Sequence, residues 1–129
     1  MSPEENFLIT NKTKGKLPSL PFFEMKEKIL GKNYSLCLNF IGVDRIRALN
    51  AKYRKINKAT DILSFPLSKT EGEIFICPKI TKNEAVKFQR KLNNFFSFLF
   101  IHGLVHLSGY DHGPKMEILE KKYRNYFHI

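Results

Sequence analysis

His102 and His106 are four positions apart, so on a helix their imidazoles stand one turn apart on one face and can reach a single ion. Gly109 lets the chain leave that helix in a left-handed or otherwise tight conformation, which allows His112 to return as a third ligand. Three neutral imidazoles are a donor set for catalytic zinc, because a tetrahedral ion then keeps one position for water. A structural zinc would be closed by a fourth protein ligand, and no Cys lies near the motif. One zinc ion on His102, His106 and His112 is the expected cofactor. Hydrolysis by a water whose pKa falls to about 7 is the natural reaction class. His128 lies outside the spacing and reads as a surface residue.

The same spacing of His and Gly occurs in metzincin proteases, where a Glu directly after the first His is the general base. Here that position is Gly103. A zinc peptidase would therefore need a base from elsewhere in the chain. Asp111 reads as a group that orients its neighbour His112 or caps a turn.

These histidines need a helix to carry them, and Phe95 to Leu107 supplies an apolar one, with a start somewhere between Lys91 and Asn94. Phe7-Leu8-Ile9 and the alternation of Leu36, Leu38 and Phe40 predict strands. Asp61 to Phe65, ended by Pro66, and Ile74 to Cys77, closed by Pro78, predict two more. Helices are expected over Pro21 to Leu30, with Gly31 at its end, and over about Arg45 to Ile56 with Asp44 as the cap. Thr81-Lys82-Asn83-Glu84 matches a capping box, and Ala85, Phe88 and Leu92 continue the apolar face of the helix it would start. Lys115 to Phe127 carries Met116, Leu119, Tyr123 and Tyr126 on one stripe, with Glu and Lys on the other side. This order predicts one α+β domain over residues 1–129, with a mixed sheet of about four strands packed with helices.

The chain has 129 residues, with 22 Lys and Arg against 12 Asp and Glu, a formal net charge of +10. Such an excess favours polyanionic partners, with nucleic acid ahead of an anionic membrane surface. The apolar stretch at Phe95 to Leu107 is shorter than the roughly 20 residues that cross a bilayer, so no membrane association is expected. Met1 to Glu5 is acidic and lacks the basic flank and apolar run of a signal peptide, and Cys37 and Cys77 resemble no secreted scaffold. Buried thiols and a cytoplasmic location are the expectation.

The eleven residues His102-Gly103-Leu104-Val105-His106-Leu107-Ser108-Gly109-Tyr110-Asp111-His112 resemble the H-G-x-L-H-L-x-G-Y-D-H signature of the YbeY endoribonucleases. Leu49-Asn50 with Tyr53-Arg54, Thr60 to Pro66, and Gly72-Glu73-Ile74 are similar to that family's L-N-x-x-Y-R, T-D-V-L-S-F-P and G-D-I elements. Departures are Val105 for Leu, Glu73 for the commoner Asp, and a short connection from His112 to Met116 where relatives often carry a longer acidic loop.

The resemblance implies a zincin-like fold and a single-strand-specific endoribonuclease in 16S ribosomal RNA maturation and ribosome quality control. Its partners would be ribosomal RNA and the small ribosomal subunit, with no DNA. It makes His102 catalytic as well as a ligand, and maps a functional arginine onto Arg54. A guanidinium there can bind a phosphate through paired hydrogen bonds and stabilise developing charge. Lys52 and Lys55, with Arg47 and Lys58, could extend a surface for the RNA backbone. Asp61 and Ser64 read as structural or bordering the site. The rivals are the zinc peptidase and a non-catalytic ribosome-assembly module holding its metal structurally.

Overall fold

Leu36, Leu38 and Phe40 are buried while Ser35, Cys37 and Asn39 between them are only partly so, the pattern of a strand with one face on a core. The computed structural model describes residues 6–129, so the acidic Met1 to Glu5 lies outside the described residues. The elements in order are β1 (Phe7–Asn11), α1 (Phe22–Leu30), β2 (Ser35–Phe40), α2 (Val43–Arg54), β3 (Ile62–Ser68), β4 (Glu71–Ile76), α3 (Pro78–Lys87), α4 (Leu92–Leu107) and α5 (Pro114–Tyr126). The four strands form one mixed sheet in the order β1-β2-β4-β3. β1 and β4 flank β2 in parallel, and β3 pairs antiparallel with β4 to form the edge. The fold is the expected α+β arrangement.

The two faces of the sheet carry different layers. Phe22 and Met25 of α1, Ile74 and Ile76 of β4, and Phe96, Phe100, Ile101 and Leu104 of α4 share the main core with Leu36, Leu38 and Phe40. On the other face, Ile46 of α2 meets Leu63 of β3, with Leu49, Phe65 and Phe75 packed around them. α4 is buried nearly all round, as its almost uninterrupted apolar sequence requires. Complete burial of each such Phe, Leu or Ile contributes about 1.5–3 kcal/mol.

Local chemistry moved several expected boundaries. Gly42, not Asp44, stands at the N-cap of α2; Asp44 lies in the first turn, and the helix closes at Arg54 with Lys55 in a left-handed cap rather than reaching Ile56. Pro66 does not end β3. The strand runs on to Ser68 through an irregularity in register, because an edge strand loses little from a missing N–H. α3 starts at Pro78, whose absent N–H would be unpaired at the first helical position anyway. Thr81 thus falls inside the helix, where its buried hydroxyl donates to the Cys77 carbonyl at 2.8 Å rather than capping. Phe88 caps the far end of α3, largely exposed, and Leu92 opens α4 after Gln89 turns the chain at φ 55°. Cys77 is buried, Cys37 only partly, and both are free. Among the described residues no helix is long and apolar enough to cross a membrane.

Candidate metal centre

Gly103 decides how α4 sits. A Cβ on it would lie 3.0 Å from Ser64 Oγ, 3.0 Å from Ile74 Cδ1 and 3.1 Å from Ile62 Cδ1, closer than side chains ordinarily pack. The missing side chain lets the helix backbone rest on β3 and β4, and Ser64 Oγ donates to the Gly103 carbonyl at 3.3 Å across that contact. The position a metzincin fills with its general base is therefore wedged against the sheet here. A Glu would have no room.

With Gly103 facing the sheet, His102 and His106 turn towards the β3 edge. The chain leaves α4 through Gly109 at φ 108° and meets α5 through Gly113 at φ 155°, and the loop between them carries His112 back over the helix. The His112 ring lies 5.2 Å from that of His102 and 6.3 Å from that of His106, centroid to centroid. Arg54 reaches the same place from the other face of the sheet. A cavity of about 50 Å³ is lined by Arg54, Ile62, Ser64 and the three histidines. The sequence-derived set of Arg54, His102, His106 and His112 is thus brought together at one edge.

What holds Arg54 there is the end of α2. Asn50, 4% exposed, donates its side-chain amide to the Lys58 carbonyl at 2.9 Å, and Arg47 donates to Asn57 at 3.0 Å, so the loop after the helix is tied back onto it. Lys52 and Lys55 are not drawn to the cavity. The Lys52 ammonium lies 5.2 Å from the Tyr53 ring, and Lys55 is exposed in the cap. Asp61 borders two larger clefts, one of about 600 Å³ that also takes in His102 and His112, the other of about 360 Å³ that takes in Arg54. Burial raises the Asp61 carboxyl above its usual value, with Glu84 adding to the shift and hydrogen bonds from Ile62 and Thr60 opposing it.

A carboxylate that sequence reasoning placed on the solvent side is part of the site. Glu120 of α5 is 6% exposed and its Oε1 lies 2.8 Å from His102 Nδ1. A carboxylate only accepts, so Nδ1 carries the proton and Nε2 is left as the donor atom, the arrangement that orients metal-ligating histidines. Asp111, the residue expected to orient a ligand, is exposed in the loop. The signal for Glu120 was available, since it stands four residues after Met116 on the inward face of α5.

The donor chemistry fits one divalent ion of intermediate softness. His106 is held below the usual histidine pKa by burial first, then by the charges of His102, His112 and Arg54, against a smaller opposing effect of Asp111. It is thereby kept in the neutral form that ligates, and its Nδ1 is buried without a partner. Zinc–nitrogen bonds of 2.0–2.1 Å set imidazole centroids about 5 Å apart. The His102–His112 pair meets that spacing and the His106–His112 pair is about 1 Å wider. Among the described residues no three ligating side chains stand close enough together to hold an ion as they are.

Residues 10–128 match the family model described as endoribonuclease YbeY. The chain is 45% identical over 73 residues to the endoribonuclease YbeY of Sulfurimonas denitrificans, covering 54% of this chain and 52% of that protein. It is 33% identical over 121 residues to that of Legionella pneumophila, covering 83% and 73%. The chain thus spans about half the length of the first of these relatives. A solution structure from Thermotoga maritima superposes with a TM-score of 0.66 at 30% identity, covering 91% of this chain and 85% of that one.

Proposed function

The chain belongs to the YbeY family, and from that premise we propose that it is a zinc-dependent endoribonuclease cutting single-stranded regions of ribosomal RNA. The observation that carries the reading is the shared cavity, in which one guanidinium and three imidazoles face the same small space. A phosphodiester needs positive charge on its non-bridging oxygens as phosphorus becomes five-coordinate, and Arg54 can supply it through two parallel hydrogen bonds. A zinc ion, when bound, would add Lewis acidity and a water with a pKa of about 7. His102, His106 and His112 would hold it, with Glu120 fixing the His102 ring and Ser64 closing the wall beside it. Gly103 weighs against the peptidase, because no carboxylate can stand where that chemistry needs its base.

The proposed substrate is 16S ribosomal RNA during maturation and quality control of the small ribosomal subunit, in the cytoplasm, a pairing that the net charge of +10 supports. The test is to incubate zinc-loaded and metal-stripped protein with single-stranded RNA, structured RNA and casein in parallel. Zinc-dependent cutting of single-stranded RNA that is lost in Arg54→Ala is the expected result. Proteolysis that vanishes in His106→Ala while RNA stays intact would establish the peptidase. If His102→Ala unfolds the protein and neither substrate is cut, the metal is structural and the chain is an assembly module. End-group analysis of the RNA products separates attack by water, which leaves a terminal phosphate, from attack by the 2′-OH, which leaves a cyclic one.

A further inference from the structure

The contact between α4 and α5 is built in rungs. His102 of α4 meets Glu120 of α5, and one turn away Phe98 meets Arg124, whose guanidinium carbon lies 5.1 Å from the centre of the Phe98 ring. The two helices run antiparallel through these contacts, so each step back along α4 is a step forward along α5. A second guanidinium converges on the same ring. Arg90, just before α4, lies 4.6 Å from the Phe98 centroid and is steadied by a 2.7 Å hydrogen bond to Asn94. Phe95 stacks on Phe98 at 5.9 Å with the rings 8° from parallel.

Two features separate this cluster from an ordinary basic surface. Among the described residues no carboxylate lies within ion-pair distance of either guanidinium, so both positive charges gather on one ring uncompensated. The cluster also opens on the cleft of about 600 Å³ that His102 and His112 line, together with Phe98 and Arg124. Residues one turn apart on a helix are about 5–6 Å apart, close to the length of one nucleotide in an extended strand. Three carboxylates line that cleft, Asp61, Glu117 and Glu120; Glu120 is bonded to His102, and Glu117 lies two turns back along α5 from Arg124.

We propose that Arg90 and Arg124, gathered over Phe98, bind the RNA phosphate one nucleotide from the linkage at the histidines, with the intervening nucleoside in the cleft. This rests on the endoribonuclease reading for its substrate and adds a direction, since the strand leaves the site along the α4–α5 contact. Two guanidiniums on one phosphate give paired, charge-assisted bonds, while the aromatic face beneath them keeps the site tolerant of base sequence.

The test is equilibrium binding by metal-free protein of a fluorescein-labelled single-stranded oligoribonucleotide about ten nucleotides long. The double variant Arg90→Gln/Arg124→Gln is compared with Lys87→Gln/Lys122→Gln, which removes the same charge close by from ammoniums seated on Phe88 and Tyr123 rather than on Phe98. The arginine pair should weaken binding by at least tenfold and lower the slope of log affinity against log salt by about 0.7 for the phosphate lost. The lysine pair should cost no more than about twofold, as general screening predicts. Arg90→Gln alone, at the exposed junction before α4, is the second arm if the double variant melts early by circular dichroism, and a loss of at least threefold is expected. Equal losses in the two double variants would overturn the subsite and leave the cleavage reading standing. RNA binding with the expected arginine dependence, but without cutting by the zinc-loaded protein, would uphold the subsite and remove the nuclease.

Discussion

Two clefts in this molecule are both open hollows of several hundred Å³ and differ in charge and in how their polar groups are held. One is the histidine cleft at the β3 edge, about 600 Å³. The other, about 430 Å³, lies where α2, α3 and α4 begin, and carries Lys16, Lys79 and Lys82. In the second, the N-caps Gly42, Cys77 and Lys91 make no side-chain capping bond. At the first and at the small cavity beside it, buried partners fix the functional groups: Glu120 holds His102, Ser64 meets the Gly103 backbone, and Asn50 ties back the loop beyond Arg54. Enclosure alone is common on a folded protein. Functional groups whose rotamers are fixed from behind are not, and they separate a site from a hollow.

The contrast can be broken most directly at His106. His106→Ala should reduce RNA cleavage by roughly 10³-fold with an unchanged circular dichroism spectrum. Activity within tenfold of wild type would move the chemistry elsewhere. Glu120→Gln keeps the shape but weakens the acceptor behind His102, and zinc affinity measured by chelator competition should fall about 10–100-fold. Gly103→Ala tests the seat of α4 on the sheet. It should cost about 1–3 kcal/mol in urea unfolding, because Ser64 and Ile74 must give way. An unaltered midpoint would mean that the contact is slack.

Asp61 sharpens the comparison through pH. Its folded pKa is raised above the unfolded value of 3.8, so the stability it contributes is full below that pH and is lost as pH rises through the folded value. Asp61→Asn should therefore gain stability relative to wild type at pH 7 compared with pH 3.5, and parallel profiles would contradict its burial. The smallest effect is expected at the other cleft, where Lys79→Gln/Lys82→Gln should stay within about 0.5 kcal/mol of wild-type stability and about twofold of wild-type cleavage. A tenfold loss there would erase the distinction.

The convergence of the three histidines was legible because helical periodicity and a glycine turn act locally, and β2, β4 and α5 announced themselves by alternation, an apolar run closed by Pro78, and an apolar stripe. Glu120 was read as solvent-facing because a carboxylate normally marks the wet side of a helix, and only the His102 ring arriving from α4 makes its burial favourable. The same holds for Thr81 and Pro66. Each carries a local signal, a cap or a strand stop, that was overruled by where a neighbouring element begins or by lying on an edge. Gly103 was legible as a missing base. Its role as a seat depends on Ser64, 39 positions away, and no window of sequence contains both.

The His102–Glu120 pair also has a consequence in time. Its members are 18 residues apart, and a ribosome adding about 5–20 residues per second makes the imidazole roughly 1–4 s before the carboxylate that steadies it. His112 itself follows His102 by ten residues, and once it is made the nascent chain carries all three histidines with no α5 to hold one of them in place. If the chain cuts ribosomal RNA as proposed, its site would thus stay unfinished until α5 has been made and has docked.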